Sequence, residues 1–175
     1  MSSPVAFPVI KTSRLILRRL VAEDRKALFI LRSNEQVSRF IQRMRMTTET
    51  EAAAFIEKIW SNVDRGPDMY WAICLNTQPD LIGTVCLWNF SEDRKLAELG
   101  YELFPAFQGR GLMSEAVQAV LDYGFKDLTL TNVEACTHKA NMRSKKMLAK
   151  FQFRYLPDKT DHENDNNEVY SLTVA

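Results

Sequence analysis

Hydrophobic residues recur along this chain with two different periods, and the shorter period predicts the strands. In RLILRRL, residues 14–20, apolar and polar side chains alternate, as they do in a strand with one buried face. Six further runs are rich in aromatic and β-branched residues and are bounded by turn-forming segments. They are MYWAICL (69–75), LIGTVCLWNF (81–90), LAELGYELF (96–104), NVEACTH (132–138), FRYLP (153–157) and EVYSLTV (168–174). The sequence therefore predicts about seven strands.

A longer apolar period, of three to four residues, predicts about four helices. The first helix falls in AEDRKALFILRSN, residues 22–34. Thr48 and Glu51 have the spacing of a capping box and open the second. A long amphipathic stretch, residues 112–125, gives the third, and NMRSKKMLAKF, residues 141–151, gives a fourth that begins at a potential capping residue.

The order of these elements predicts the fold class. It runs strand, two helices, three strands, helix, strand, helix, two strands. Strands joined by short turns pair antiparallel, whereas a long helix between two strands predicts a parallel crossover. We therefore expect a mixed α/β (α+β) sheet in a single domain, residues 1–175, with its core at about 12–174.

Composition narrows the class of function. The formal net charge is +1, which gives no electrostatic reason to expect nucleic acid as a partner. No apolar run approaches the ~20 residues that cross a bilayer, and the first residues lack the pattern of a signal peptide. We expect a cytoplasmic protein without a membrane partner. Cys74, Cys86 and Cys136 lack metal-ligand spacing, so we expect buried thiols and no metal.

The segment FPAFQGRGLMSEA holds the clearest candidate site. Gly109 and Gly111 flank an arginine just before the long helix. A helix start presents backbone N–H groups without intrahelical partners, and glycine lets a ligand approach the backbone closely. Such a loop can hold a phosphate. An isolated Gly-x-Gly is also common in ordinary turns, and the phosphate-loop and dinucleotide-binding patterns do not fit.

Several motifs together resemble the GNAT N-acetyltransferase superfamily. Its Gln/Arg-x-x-Gly-x-Gly/Ala motif is similar to Gln108, Gly111 and Met113, with methionine in the last place. Residues 97–101, AELGY, resemble a strand of the RimJ/RimL branch, whose enzymes acetylate the N-terminal amine of ribosomal proteins. The branch's Asn-x-x-Ser pattern is similar to NMRS at 141–144, although Gln152-Phe153 replaces its Gly-Phe ending. The similarity covers nearly the whole chain.

The resemblance implies a fold with a splayed pair of parallel strands and acetyl-CoA in the opening, without a metal. Here those strands are LAELGYELF and NVEACTH. Backbone groups near Leu103 and Phe104 would pair with the pantetheine arm, and a strand N–H near Leu103 would face the thioester carbonyl. The residues implied for the cofactor are Leu103, Phe104, Gln108, Gly109, Arg110, Gly111, Leu112, Met113, Ser114 and Asn141.

The resemblance also implies catalytic residues. Glu98 is the candidate general base, with a structural carboxylate as the alternative role and Glu102 as the substitute base. Ser144 would supply or relay a proton to the departing thiolate. Asn141 would cap its helix, bind the cofactor, or do both.

Other residues near the implied site keep two interpretations each. His138 could titrate at the site or be structural. The hairpin aromatics Tyr70, Trp71 and Trp88 could stack on the acceptor or pack in the core, and Lys145 and Lys146 could touch phosphate or face solvent. The basic segment with Arg39, Arg43 and Arg45 could receive an anionic acceptor or form a solvated face.

We therefore expect an enzyme that moves an acetyl group from acetyl-CoA to a primary amine. The acceptor would be a protein N-terminal α-amine or a small-molecule amine. The alternative is a non-catalytic acetyl-CoA-binding sensor or scaffold, which would need neither Glu98 nor Ser144. A homodimer is expected only by analogy with relatives.

Overall fold

The computed structural model describes residues 7–174, and this part of the chain contains eight strands. They are β1 (Ile10–Lys11), β2 (Leu15–Arg19), β3 (Met69–Leu75), β4 (Gln78–Trp88), β5 (Leu96–Leu103), β6 (Asn132–His138), β7 (Arg154–Tyr155) and β8 (Asn167–Thr173). The helices are α1 (Arg25–Ser33), α2 (Glu35–Ser38), α3 (Glu49–Arg65), α4 (Leu112–Lys126) and α5 (Met142–Lys150).

All eight strands form one mixed sheet, in the order β1-β2-β3-β4-β5-β6-β8-β7. Neighbours pair antiparallel except β5 and β6, which are parallel and joined through α4. The predicted fold class, the antiparallel start and the parallel crossover are thus confirmed. The counts differ slightly, because β1 and α2 are too short to produce a hydrophobic period.

Two apolar layers cover the sheet, one on each face. Alternate residues of β3 show the division: Trp71 and Ile73 are buried beneath α4, whereas Ala72 and Cys74 are buried beneath α1 and α3. The helices bury the stripes that their periodicity predicted, and Thr48 caps α3 by accepting a hydrogen bond from the Glu51 amide. We refer below to the α4 face and the α1/α3 face of the sheet.

Strands β5 and β6 pair over only three positions and then separate. The paired positions are Leu96 with Asn132, Ala97 with Val133, and Glu98 with Glu134. Beyond them β5 stays paired with β4 as far as Leu103, and β6 stays paired with β8 as far as His138. The two strands therefore diverge within the sheet, as the resemblance implied, and we call this opening the strand gap.

No helix in residues 7–174 is long and apolar enough to cross a membrane.

Candidate active site

The strand gap opens into a groove of about 1360 Å³ that crosses both faces of the sheet. Its walls include Glu98 and Tyr101 of β5, the glycine loop before α4, and Ser144 of α5. A shallower depression of about 470 Å³ lies between β1 and α4, away from the gap. The chemistry-bearing residues collect in the larger groove, so we take it as the candidate site.

Both glycines of the loop have the left-handed conformation that disfavours other residues. Gly109 has φ 74° and Gly111 has φ 75°, and Gly111 is the N-cap of α4. A Cβ built on Gly109 would meet no atom within 4 Å, so the approach to this backbone is open. At Gly111 a Cβ would lie 3.5 Å from Arg14 Nη2. The loop is therefore shaped by a backbone conformation that glycine adopts without steric cost.

Successive amides of this loop have no protein acceptor. Among the described residues, none of the N–H groups from Gly109 to Ser114 donates a hydrogen bond, and no side chain caps α4. The Gln108 amide differs from the expectation, because it donates to the Pro105 carbonyl at 3.2 Å. A run of unpaired amides at the positive end of a helix suits a diphosphate, so the residues present fit coenzyme A.

An ion-pair network supports the loop from beneath. Glu115, in the first turn of α4, accepts from the Thr12 hydroxyl at 2.6 Å, from the Arg14 amide at 2.8 Å and from Arg14 Nε at 2.7 Å. Arg14 Nη1 also donates to the Arg110 carbonyl at 2.9 Å. Burial alone would raise the pKa of Glu115, but these hydrogen bonds outweigh it and lower the pKa to about 2. Sequence analysis missed this network, because its members are about a hundred residues apart.

The edge of β5 presents backbone groups to the strand gap. The Phe104 amide donates to the Ile82 carbonyl of β4 at 3.0 Å. Because donors alternate sides along a strand, the N–H groups of Leu103 and Tyr101 point the other way, into the gap. The Phe104 carbonyl also accepts from the Phe107 amide, so both backbone groups of Phe104 are engaged within the protein. Of the two residues expected to pair with the cofactor, Leu103 has the free N–H.

Side chains of the loop connect it to the neighbouring elements. Gln108 Nε2 donates to the Leu103 carbonyl at 2.8 Å, and Gln108 Oε1 accepts from Arg143 of α5. Gln108 therefore connects β5 to α5, while the exposed Arg110 stacks over Phe107 at 5.8 Å. Leu112 is buried in the core, and Met113 and Ser114 line the groove.

On the α4 face, two hydroxyls share a hydrogen bond. Tyr101 OH and Ser144 Oγ are 2.6 Å apart, and burial raises the pKa of Tyr101 to about 12. Asn141 caps α5 by accepting from the Ser144 amide at 3.2 Å, which leaves its NH₂ group free to donate. Sequence analysis found Ser144 and Asn141 but not the role of Tyr101, although it lies in the AELGY motif.

On the α1/α3 face, Glu98 occupies the last paired position before the strands diverge. Its carboxylate accepts from Asn89 Nδ2 at 3.4 Å. Burial raises the pKa of Glu98, as do the negative charges of Asp161 and Glu163 on the loop before β8. Both shifts make this carboxylate a stronger base than an ordinary one.

Glu102, the substitute base, lies on the same face and is already engaged. Its carboxylate forms an ion pair with Arg43 Nη1, although Glu102 Oε1 makes no well-aligned hydrogen bond. Arg43 is mostly buried, so it is not part of a solvated basic face. Arg39 and Arg45 are exposed, and Arg39 lies over the Phe40 ring at 5.2 Å. The arrangement favours Glu98 as the base.

The remaining candidates divide between core and groove. Trp71 is fully buried and donates to the Pro8 carbonyl, whereas Tyr70 and Trp88 line the groove. His138 accepts from the Ala140 amide at 3.1 Å and packs against Phe40. Lys145 forms an ion pair with Glu168 and Lys146 is exposed.

The three cysteines, Cys74, Cys86 and Cys136, are free thiols whose pKa values burial raises. Within residues 7–174 no cluster of histidine, cysteine or acidic residues could hold a metal ion.

Comparisons with known proteins agree with this geometry. Residues 14–154 match the acetyltransferase (GNAT) domain. The chain is 30% identical over 148 residues to YoaA of Bacillus subtilis (strain 168), described as an uncharacterized N-acetyltransferase; the match covers 85% of this chain and 84% of YoaA.

Two solved structures share the fold at low identity. The first is RimL, a ribosomal-protein α-N-acetyltransferase in complex with coenzyme A. The TM-score is 0.84 at 19% identity, and the match covers 95% of this chain and 98% of RimL. The second is the ribosomal-protein-S5-alanine acetyltransferase from Vibrio fischeri. The TM-score is 0.81 at 18% identity, and the match covers 95% of this chain and 96% of the Vibrio fischeri enzyme. With the matched domain spanning most of the sequence, the chain belongs to the GNAT family of acetyl-CoA-dependent N-acetyltransferases.

Proposed function

We propose that this enzyme acetylates the α-amine of a protein N-terminus by direct attack on acetyl-CoA. The observation that carries the proposal is the strand gap, which has unpaired amides at one end and ionisable or hydroxyl side chains on both faces. The protein acceptor is supported by the fold shared with RimL and the Vibrio fischeri enzyme, both named for ribosomal proteins. A small-molecule amine is the second candidate.

The two faces of the gap suit two proton transfers. Side chains alternate along β5, so Glu98 lies on the α1/α3 face and Tyr101 on the α4 face. We assign the acceptor amine to the side of Glu98 and the thiol of coenzyme A to the side of Tyr101 and Ser144. An amine entering from one face and a thiol leaving on the other would not compete for the same space.

Glu98 accepts the proton that the amine must lose. An α-amino group has a pKa of ~8 and is partly protonated at neutral pH, so a base is required. The raised pKa of Glu98 brings it closer to that of the amine. The nitrogen then bonds to the carbonyl carbon of the thioester, and the Leu103 N–H stabilises the charge developing on the carbonyl oxygen.

The Tyr101–Ser144 pair supplies a proton to the thiolate as the carbon–sulfur bond breaks. The two oxygens are 2.6 Å apart, so a proton given up by one hydroxyl can be replaced from the other, and a proton from solvent then restores the pair. Since the pKa of Tyr101 is about 12, the pair serves as a hydrogen-bond donor and relay rather than a strong acid. The Asn141 amide and the unpaired loop amides would hold the rest of the cofactor.

A thiol-release assay tests the proposal. Incubation with acetyl-CoA and a panel of peptide and small-molecule amines should release free thiol with peptide N-termini as the better acceptors. Substitution Ser144→Ala should lower kcat while acetyl-CoA binding, measured calorimetrically, stays near wild type. Saturable acetyl-CoA binding without turnover of any acceptor would contradict catalysis and support a sensor or scaffold. Turnover of small amines alone would show that the acceptor is a small-molecule amine, the second candidate.

A further inference from the structure

Beyond Glu98, a connected set of side chains lines the α1/α3 face of the groove. The Arg32 guanidinium lies 3.9 Å above the Phe55 ring, and Phe55 meets Tyr70 edge-on at 5.8 Å. The Tyr70 hydroxyl donates to Thr84, which pairs across the sheet with Glu102. Glu102 in turn forms the ion pair with Arg43 described above. Arg32, Arg43, Phe55, Tyr70, Thr84 and Glu102, which we call the arginine pocket, all line the groove.

The arginine pocket contains buried donors without acceptors. Arg43 Nε, Arg43 Nη2 and Arg32 Nε are each buried and make no hydrogen bond with any described residue. A buried, unpaired donor on a charged group is costly, and native proteins rarely keep several together without a reason. The cost disappears when a ligand brings acceptor oxygens.

The geometry of the Arg43 donors selects the kind of acceptor. Nε and Nη2 form one edge of the planar guanidinium, with parallel N–H bonds, while Nη1 on the opposite side faces Glu102. A carboxylate matches this edge with two hydrogen bonds. Since neither Nε nor Nη2 has a hydrogen-bond partner among the described residues, a carboxylate bound at this edge displaces no protein acceptor.

The charge of the pocket also favours an anion. Arg32, Arg43 and Glu102 together carry one excess positive charge, because Glu102 balances only one guanidinium. The Phe55 ring accommodates Arg32 but does not neutralise it. An incoming carboxylate would neutralise this excess charge. The site is partly desolvated, so the two charges would attract each other more strongly there than in water.

We infer that the acceptor carries a carboxylate close to its reacting amine and that Arg43, with Arg32, binds this carboxylate. The inference rests on the proposed function. Glu98 and Glu102 are four residues apart on one strand, or ~13 Å at the usual rise, and hydrogen bonds of ~3 Å at the amine and at the carboxylate take up about half of it. This distance suits an acidic side chain at the second or third residue of an extended peptide. A free amino acid would hold its amine and carboxylate closer together.

Matched acceptor pairs test the inference. Peptides with Asp at position two or three are compared with the same peptides carrying Asn, and free amino acids with their carboxamides. For each pair, kcat/KM is measured, and binding to the CoA-saturated protein is measured by calorimetry, which does not depend on turnover. We expect the Asp peptides to be favoured on the order of tenfold or more, through two charge-assisted hydrogen bonds.

Variants separate recognition from folding. Arg43→Lys removes the planar edge but keeps the charge, and Arg32→Gln leaves the Glu102 ion pair in place; each should reduce the Asp preference severalfold with unchanged affinity for acetyl-CoA. Arg45→Gln, an exposed change in the same segment, should leave the preference intact.

The possible outcomes distinguish the inference from the proposed function. Acetylation of peptides without any Asp preference overturns the inference alone. A carboxylate preference confined to free amino acids supports Arg43 recognition but overturns the protein acceptor. If neither the Asp peptides nor the free amino acids are preferred over their amide counterparts, in turnover or in binding, the inference is wrong.

Discussion

At the scale of single residues, the chemistry depends on the environment of Glu98. Its burial and its acidic neighbours raise its pKa, so it binds a proton more readily than an exposed glutamate. Glu98→Gln should lower kcat/KM on the order of 100-fold, because a positioned general base contributes at least that much. Steady-state kinetics with the best acceptor found in the thiol-release assay will measure the loss.

The pH profile gives a sharper test of the same residue. A base works when deprotonated, so wild-type kcat/KM should rise with pH through the raised pKa of Glu98, and the Gln variant should lack this limb. Glu92→Gln, an exposed change in the preceding turn, serves as the matched control and should keep the wild-type profile. A Glu98→Gln enzyme with full activity at every pH would show that another group is the base.

At this scale the sequence identified candidates better than their surroundings. Glu98, Ser144 and Asn141 follow from motif positions, and all three line the groove. The partnership of Tyr101 with Ser144 and that of Arg43 with Glu102 could not be read from sequence, because each joins residues more than forty positions apart. Such pairs depend on how separate elements pack, which local patterns do not encode.

At the scale of elements, the glycine loop and the start of α4 act together. Because Gly111 has φ 75°, an alanine there is strained by roughly 1–2 kcal/mol and should distort the run of unpaired amides. A side chain at this position would point toward Arg14 and away from the unpaired amides. The expected loss of binding therefore comes from the altered backbone and not from steric blocking of the cofactor. We expect Gly111→Ala to weaken acetyl-CoA binding severalfold, as measured by calorimetry.

A glycine outside the loop provides the control for this prediction. Gly66 has φ −131°, an ordinary conformation at the end of α3, so Gly66→Ala tests glycine replacement without left-handed strain. It should leave acetyl-CoA affinity unchanged. Wild-type affinity in Gly111→Ala would contradict the role assigned to the loop.

The Arg14–Glu115 network makes a separate prediction about stability. The folded-state pKa of Glu115, about 2, lies below its ordinary value of 4.5, so the carboxylate stabilises the fold above pH 4.5. That contribution is lost as the pH falls from 4.5 toward 2. Glu115→Gln should therefore reduce the free energy of unfolding at pH 7 by about 1–3 kcal/mol, with the difference shrinking in acid. Urea denaturation at several pH values measures it.

Glu49→Gln is the matched control for Glu115→Gln. Glu49 also lies in the first turn of a helix, α3. It is exposed, and its ion pair with Arg25 is long, at 3.9 Å. Its substitution should change stability by a few tenths of a kcal/mol at most. Equal losses in the two variants at pH 7 would mean that the Arg14 network adds nothing beyond the helix dipole.

Element boundaries were predictable where a hydrophobic period was long enough. β3 and β6 match the predicted ranges 69–75 and 132–138, because β-branched and aromatic runs end at clear turns. β4 begins earlier than predicted, at Gln78, since two register shifts near Cys74 let the hairpin close more tightly. β7, with two residues, is shorter than the predicted strand 153–157, and β1, also of two residues, leaves no periodic signal.

At the scale of the whole molecule, the decisive feature is the divergence of two strands within one sheet. Local patterns predicted the parallel crossover, but the divergence followed only from the family resemblance, because hydrophobic patterning does not specify where pairing stops. It is confirmed by the register, which ends at Glu98 and Glu134. The assignment of individual cofactor-binding residues, the homodimer and the cytoplasmic location stay predictions.

A crystal structure of this protein bound to coenzyme A is the most direct test of the account. We predict the diphosphate within hydrogen-bonding distance of amides between Gly109 and Ser114, and the pantetheine arm between β5 and β6 beside Leu103. Coenzyme A bound elsewhere, or β5 and β6 paired along their full length, would contradict it.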